Sequence, residues 1–213
     1  MKKLLYLLVL LAILLSACQS SLIPDLVARP GARLFWDDFS NASGNWPDVS
    51  GPNGTLAIVD GTYQIQVRST QLILTAAPEH PFRNVQVEAD ATRLSGPLQN
   101  LFGLICRSSD LDNFYFFAIS SDGYYALGKI KKGQASLLGQ DMMSYSNSIL
   151  QGDATNHLRL DCIGKTLTGY VNGVVIATSD DADFSSGQAG LVAGAHDLPG
   201  VAVAFDDFVV YKP

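Results

Sequence analysis

Leu167-Thr168-Gly169-Tyr170-Val171-Asn172-Gly173-Val174-Val175-Ile176-Ala177 is two short runs rich in β-branched and aromatic residues, hinged on Asn-Gly. Asn-Gly suits a two-residue hairpin because both central positions of that turn need positive φ, which these residues adopt at low cost. The same grammar repeats outward. Asp60-Gly61 separates Leu56-Ala57-Ile58-Val59 from the alternating Tyr63-Gln64-Ile65-Gln66-Val67, and Asp122-Gly123 separates Phe114-Tyr115-Phe116-Phe117-Ala118-Ile119 from Tyr124-Tyr125-Ala126-Leu127. Gly164-Lys165 turns the chain after Leu158-Arg159-Leu160-Asp161-Cys162-Ile163. Further strands are expected at 85–94, 101–107, 189–195 and 201–211, and no useful length shows helical spacing. Short strands punctuated this regularly predict an all-β sandwich or barrel. Phe35-Trp36-Asp37-Asp38-Phe39 near its start is echoed by Phe205-Asp206-Asp207-Phe208 near its end, so the first and last strands are expected side by side.

Composition agrees. Of 213 residues 47% are hydrophobic, with 19 Gly and 9 Pro, enough for a packed core with many turns. Nearly all the acid is aspartate, which favours turns, since Glu79 and Glu88 are the two glutamates. The formal charge of −6 excludes a nucleic-acid partner, which needs clustered Lys and Arg. Lys129, Lys131 and Lys132 form the one basic cluster and read as a solvated hairpin end.

The N-terminus predicts export. Met1-Lys2-Lys3 is a positive start, and residues 4–15 are an almost unbroken apolar run, too short for a bilayer span of about 20 residues but right for a signal peptide. Leu15-Ser16-Ala17-Cys18 then resembles the bacterial lipobox at all four positions. That resemblance implies a signal peptide over 1–17, lipid on Cys18, a flexible tether over 18–30 and a domain over 31–213. The protein would then be extracytoplasmic and lipid-anchored to a bacterial cell membrane, and loss of Lys2 and Lys3 with the leader would take the charge from −6 to −8. Gln19 is not the Asp that marks inner-membrane retention in some diderm bacteria, and the choice of membrane stays open.

Within the domain a more specific pattern emerges. Gly61-x-Tyr63, Gly103-Leu104-Ile105-Cys106-Arg107, Asn113-Phe114-Tyr115-Phe116, Asp122-Gly123-Tyr124-Tyr125, Asn156-His157-Leu158-Arg159, Tyr170-Val171-Asn172-Gly173 and Gly187-Gln188-Ala189-Gly190-Leu191 follow in order between the two Asp-Asp-Phe segments. This resembles the concanavalin A-like lectin/glucanase superfamily over about residues 33–211, and more narrowly its laminin G-like and 3-keto-disaccharide-hydrolase-like domains. The resemblance implies an all-β, two-sheet antiparallel jelly-roll sandwich; the same fold hosts lectins, glycosidases and adhesion modules, so function must come from a site.

Cys106 and Cys162 each sit in an expected strand, and two cysteines in an exported domain usually pair; the alternative is two separate buried thiols. Catalysis finds little support. Laminarinase-type relatives of the superfamily use Glu-x-Asp-x-x-Glu, but here Glu88-Ala89-Asp90-Ala91-Thr92-Arg93 ends in Arg93, so the acid/base position is vacant. Glu88 reads as an outward strand residue or a partner of Arg93. Asp110, Asp112, Asp122, Asp180, Asp181 and Asp183 read as turn formers, the alternative being an Asp in place of the missing Glu, and His80, His157 and His196 have no ordered catalytic partners.

Binding is the better fit, because a sugar site needs an aromatic face and a few fixed polar groups. Three groups are candidates: Arg107, Asp112, Asn113 and Tyr115; Tyr124 and Tyr125 with Tyr145; and Trp46 in the Ser43-Gly44-Asn45-Trp46-Pro47 loop. Each has a plainer reading as core, with Trp46 plugging one end of the sandwich and 114–119 a central strand apolar on both faces. Asp38 and Asp207 are candidates for a structural calcium, the alternative being hydrogen bonds to nearby loops, and no other cofactor is expected. The expected order of functions is a membrane-anchored, non-catalytic module binding a glycan or cell-wall polymer, then a 3-keto-disaccharide-type glycoside hydrolase, then a protein-interaction module of the envelope.

Overall fold

A computed structural model describes residues 28–41 and 46–213. The leader, Cys18, residues 18–27 of the tether, and Ser43, Gly44 and Asn45 lie outside the described residues. Among those described, 17 strands, numbered in chain order, form two sheets.

The first sheet runs β15 (Val174–Asp180), β14 (Thr166–Val171), β13 (Asn156–Ile163), β7 (Val85–Ser95), β17 (Val201–Tyr211), β4 (Thr62–Val67), β3 (Gly54–Val59) and β2 (Val49–Gly51), with β1 (Arg33–Asp37) also paired to β17. The second runs β11 (Gln134–Leu137), β10 (Tyr124–Lys131), β9 (Asn113–Ile119), β8 (Asn100–Asp110), β16 (Gly187–Ala195) and β5 (Leu72–Ala76), with β12 (Ser144–Tyr145) on β10 and β6 (Pro81–Phe82) on β16.

The expected hairpins form where turn chemistry placed them. Asp60 and Gly61 (φ 49° and 76°) join β3 to β4, and Asn172 and Gly173 (φ 51° and 80°) join β14 to β15, the paired positive angles of a type I′ turn. The first and last strands pair antiparallel, Asp37 opposite Phe208. β5 escaped the sequence reading, and so did β11 and β12. They are short edge pieces held by their neighbours rather than by a strong pattern of their own.

Period-2 alternation sends one set of side chains from each sheet into a shared core. Tyr115, Phe117 and Ile119 of β9 meet Leu158, Leu160, Val203 and Phe205 of the facing sheet's strands there. Phe114, Phe116 and Ala118 point the other way and join Ile105, Ala126, Ile130 and Val192 in a second apolar cluster on the outer face. β9 is therefore buried on both sides, as its sequence implied. Leu101, Leu137 and Met143 partly cover this outer cluster.

Cys106 on β8 and Cys162 on β13 are disulfide-bonded across the core, their Cα atoms 6.8 Å apart. The bond ties one sheet to the other and closes a 56-residue separation.

Candidate functional site

Several candidate residues prove to be interior. Trp46 is 6% exposed and centres an aromatic cluster, its ring 4.9 Å from Phe208, 5.0 Å from Tyr63 and 5.2 Å from Phe39. Its indole N–H donates to Asp37 Oδ2 at 3.1 Å, and Asp37 Oδ1 accepts the Phe39 N–H at 2.8 Å. Trp46 thus packs into the core and offers a glycan no face.

Arg107 is 2% exposed. It sits at φ 52° in the β8 bulge, which turns its side chain into the end of the sandwich. The guanidinium donates to the carbonyls of Arg83 (3.1 Å), Phe184 (3.0 Å) and Gly164 (2.8 Å), clamping three connections together. Tyr115 is fully buried, and its hydroxyl donates to Asp181 Oδ1 at 2.6 Å and accepts the Phe184 N–H at 3.0 Å. Burial first, then that bond to Asp181, pushes the phenol up to about 12. Asp112 and Asn113 lie in the β8–β9 turn, where Asp110 accepts from the Asp112 N–H and from Asn113 Nδ2, both at 2.8 Å. Arg107, Asn113 and Tyr115 thus form a structural corner with their side chains committed to protein partners, while Asp112 joins it through its backbone and stays exposed.

Lys129 is not a solvated hairpin residue as expected. Its ammonium lies 2.5 Å from both Asp181 and Asp183, and Lys131 lies 2.7 Å from Asp183. Burial raises the Asp181 carboxyl, but hydrogen bonds from Lys129 and Tyr115 outweigh it and hold the group below the ordinary carboxylate value.

Glu88 does face outward, on the first sheet, yet its neighbours are His157 (3.7 Å) and Arg159 (3.9 Å) rather than Arg93, which pairs with Asp153. His157 also meets Asp90 at 2.7 Å. Asp38 accepts from the Ser40 N–H and hydroxyl. Neither Asp38 nor Asp207 belongs to a metal-capable set, since no group of three or more His, Cys, Asp or Glu side chains suited to a metal occurs among the described residues.

The third candidate group does assemble. Tyr124 and Tyr145 stand opposite each other in the β10–β12 register, rings edge-to-face at 5.6 Å, 42% and 51% exposed. Tyr145 is set by two contacts: its hydroxyl accepts from Gln151 Nε2 at 2.9 Å, and Gly123 (φ 96°) leaves room where a Cβ would come within 2.7 Å of its ring. Tyr125 follows the alternation and packs on the inner core instead, so it leaves this group.

Tyr124 forms one wall of a groove of about 690 Å³ across the outer face of the second sheet. That is within the range of about 300–1,000 Å³ typical of small-molecule sites. Ile73, Leu101, Gly194 and Met143 supply apolar floor and wall. Polar groups ring it: Gln71, Gln99, Asn100, Ser120, Asp122, His196 and Asp197. The loops are braced. Asn100 Oδ1 accepts the Ser121 N–H at 2.9 Å, Ser120 donates to Asp122, and the Gln71 N–H donates to His196 O at 3.0 Å. Of these groove residues the sequence reading singled out Tyr124 as a binding residue; it met Asp122 as a turn former or a stand-in for the missing Glu, and His196 as an unpartnered histidine. The rest carried no local signal, because the groove unites positions from 71 to 198 that only the sheet order brings together.

No protein-family model matches the chain, and no curated protein matches its sequence. Solved structures do match its fold. A carbohydrate-binding module, CBM66 from Bacillus subtilis, superposes with a TM-score of 0.64 at 20% identity, covering 78% of this chain and 95% of that one. A Bacillus subtilis protein of unknown function with a galectin-like fold gives 0.61 at 14% identity, covering 86% and 97%. A xylan β-1,4-xylosidase from Bacillus halodurans gives 0.59 at 15% identity, covering 88% of this chain but 41% of the enzyme. The chain therefore shares the antiparallel two-sheet β-sandwich fold of these structures.

Proposed function

We propose that the protein is an extracytoplasmic lipoprotein whose β-sandwich binds a glycan or cell-wall polymer without cleaving it. The observation that carries this reading is the groove on the second sheet: an exposed tyrosine beside an apolar floor, ringed by amide, hydroxyl and carboxylate groups. Sugars present apolar C–H faces and directional hydroxyls, and such a surface answers both. The likeness to a carbohydrate-binding module supports it. The lipobox at Leu15-Ser16-Ala17-Cys18 supports the anchor.

A glycan-array screen of the detergent-solubilised full-length protein, with product analysis on every hit, tests the binding. Saturable binding without cleavage is expected. Cleavage would overturn the non-catalytic part, and silence across the array would favour a protein partner. Cys18→Ser tests the anchor: the variant should leave the membrane fraction and lose its lipid label.

One observation favours a hydrolase as the second reading: Asp122 and Asp197 both line the groove. Turnover abolished by Asp122→Asn and by Asp197→Asn, with binding kept, would establish it.

A further inference from the structure

The charge of the groove carries an inference about its ligand. Two acidic side chains, Asp122 and Asp197, line it, and no Lys or Arg is among the described lining residues. His196, the remaining titratable base there, is turned to Asp197 at 2.8 Å. Lys129 and Lys131 of the same sheet pair with Asp181 and Asp183, and with Lys132 of the β10–β11 turn they line a second groove that shares Ala135 with this one. Arg107 donates to interior carbonyls, and Arg159 to Asp161 at 2.7 Å on the other sheet.

Recognition of a carboxylate, sulfate or phosphate relies on such cations, above all on the forked guanidinium of arginine. A carboxylate lining a site can only accept hydrogen bonds. A sugar hydroxyl satisfies it by donating, whereas a uronate or phosphate oxygen meets it as a second acceptor of like charge. Water between the two screens the repulsion only in part.

We propose that this groove takes uncharged sugar residues and excludes anionic ones, with Asp122 and Asp197 accepting hydrogen bonds from ligand hydroxyls. The inference rests on the groove being the glycan site. It commits the ligand to a neutral polysaccharide and places teichoic-acid-like and uronate-rich polymers outside its range.

The test compares neutral polysaccharides with the same polymers oxidised to carboxylates at the primary alcohol, on the full-length protein in detergent. The oxidised form should bind at least about tenfold more weakly at low ionic strength, because like charges are opposed across the interface. Raising the salt to about 0.5 M should narrow that gap by screening. Asp197→Lys should narrow it further, and this exposed side chain can be exchanged without touching the core. Equal or tighter binding of the oxidised form would overturn the inference while leaving the glycan site in place. A gap that ignores both salt and Asp197→Lys would overturn its electrostatic basis. Failure of the folded protein to bind any polymer of either kind would overturn the site and the inference together.

Discussion

Trp46 and Tyr124 both read in the sequence as candidate sugar faces, and their partners set them apart. Trp46 has its indole N–H satisfied by buried Asp37 and four rings within 6.3 Å. Truncating it to alanine leaves a large cavity and takes the donor from Asp37 Oδ2. Trp46→Ala should therefore cost about 3–5 kcal/mol in chemical denaturation, without a specific effect on any ligand. Arg107→Met should be similarly destabilising, because the carbonyls of Arg83, Phe184 and Gly164 lose their shared donor. Tyr124 is different. Its ring is exposed, so Tyr124→Ala should leave the melting temperature nearly unchanged and weaken glycan binding by about 1–2 kcal/mol, read by calorimetry.

At the scale of elements, β10 is held to the connection between β15 and β16 by charge. Lys129 and Lys131 on the strand face Asp181 and Asp183 on the connection. Both aspartates are held below their ordinary value: Asp181 by Lys129 and Tyr115 against the opposing effect of burial, Asp183 by Lys129 and then Lys131. A carboxylate depressed in the folded state contributes stability above its unfolded value and loses it as pH falls through the folded one. Lys129→Met should thus lower the thermal midpoint at neutral pH, and the gap from wild type should close as pH drops below about 4. A gap that is constant over that range would mean the lysine acts through packing of its stem alone.

For the whole molecule the decisive cross-link is Cys106–Cys162, because it joins the two sheets rather than two neighbouring strands. In the chain-entropy account, closing a loop of this length is worth about 4 kcal/mol. The double Cys106→Ala, Cys162→Ala variant should lose about 2–5 kcal/mol. The groove lies at the other end of β8, at Asn100 and Leu101, so the folded variant should keep its glycan affinity. A large loss of affinity with stability intact would show that sheet separation tunes the groove.

Local chemistry made the strands, hairpins, disulfide and first-to-last pairing readable from residue order. Asn-Gly and Asp-Gly favour the tight turns of hairpins, alternation defines two faces for any strand, and two cysteines have one way to pair. The same rules are silent on which of two apolar faces receives the second sheet. That is why Tyr115 and Tyr125 could be mistaken for ligand contacts while Tyr124, one position from Tyr125, is one of the groove walls. Arg107 reads as a surface binding residue until the bulge at φ 52° turns it inward. The groove itself depended on strand order, since Gln71, Asp122, Met143 and Asp197 meet only once β5, β16, β8, β9 and β10 lie side by side. Such contacts between positions far apart in sequence leave no periodic trace along the chain.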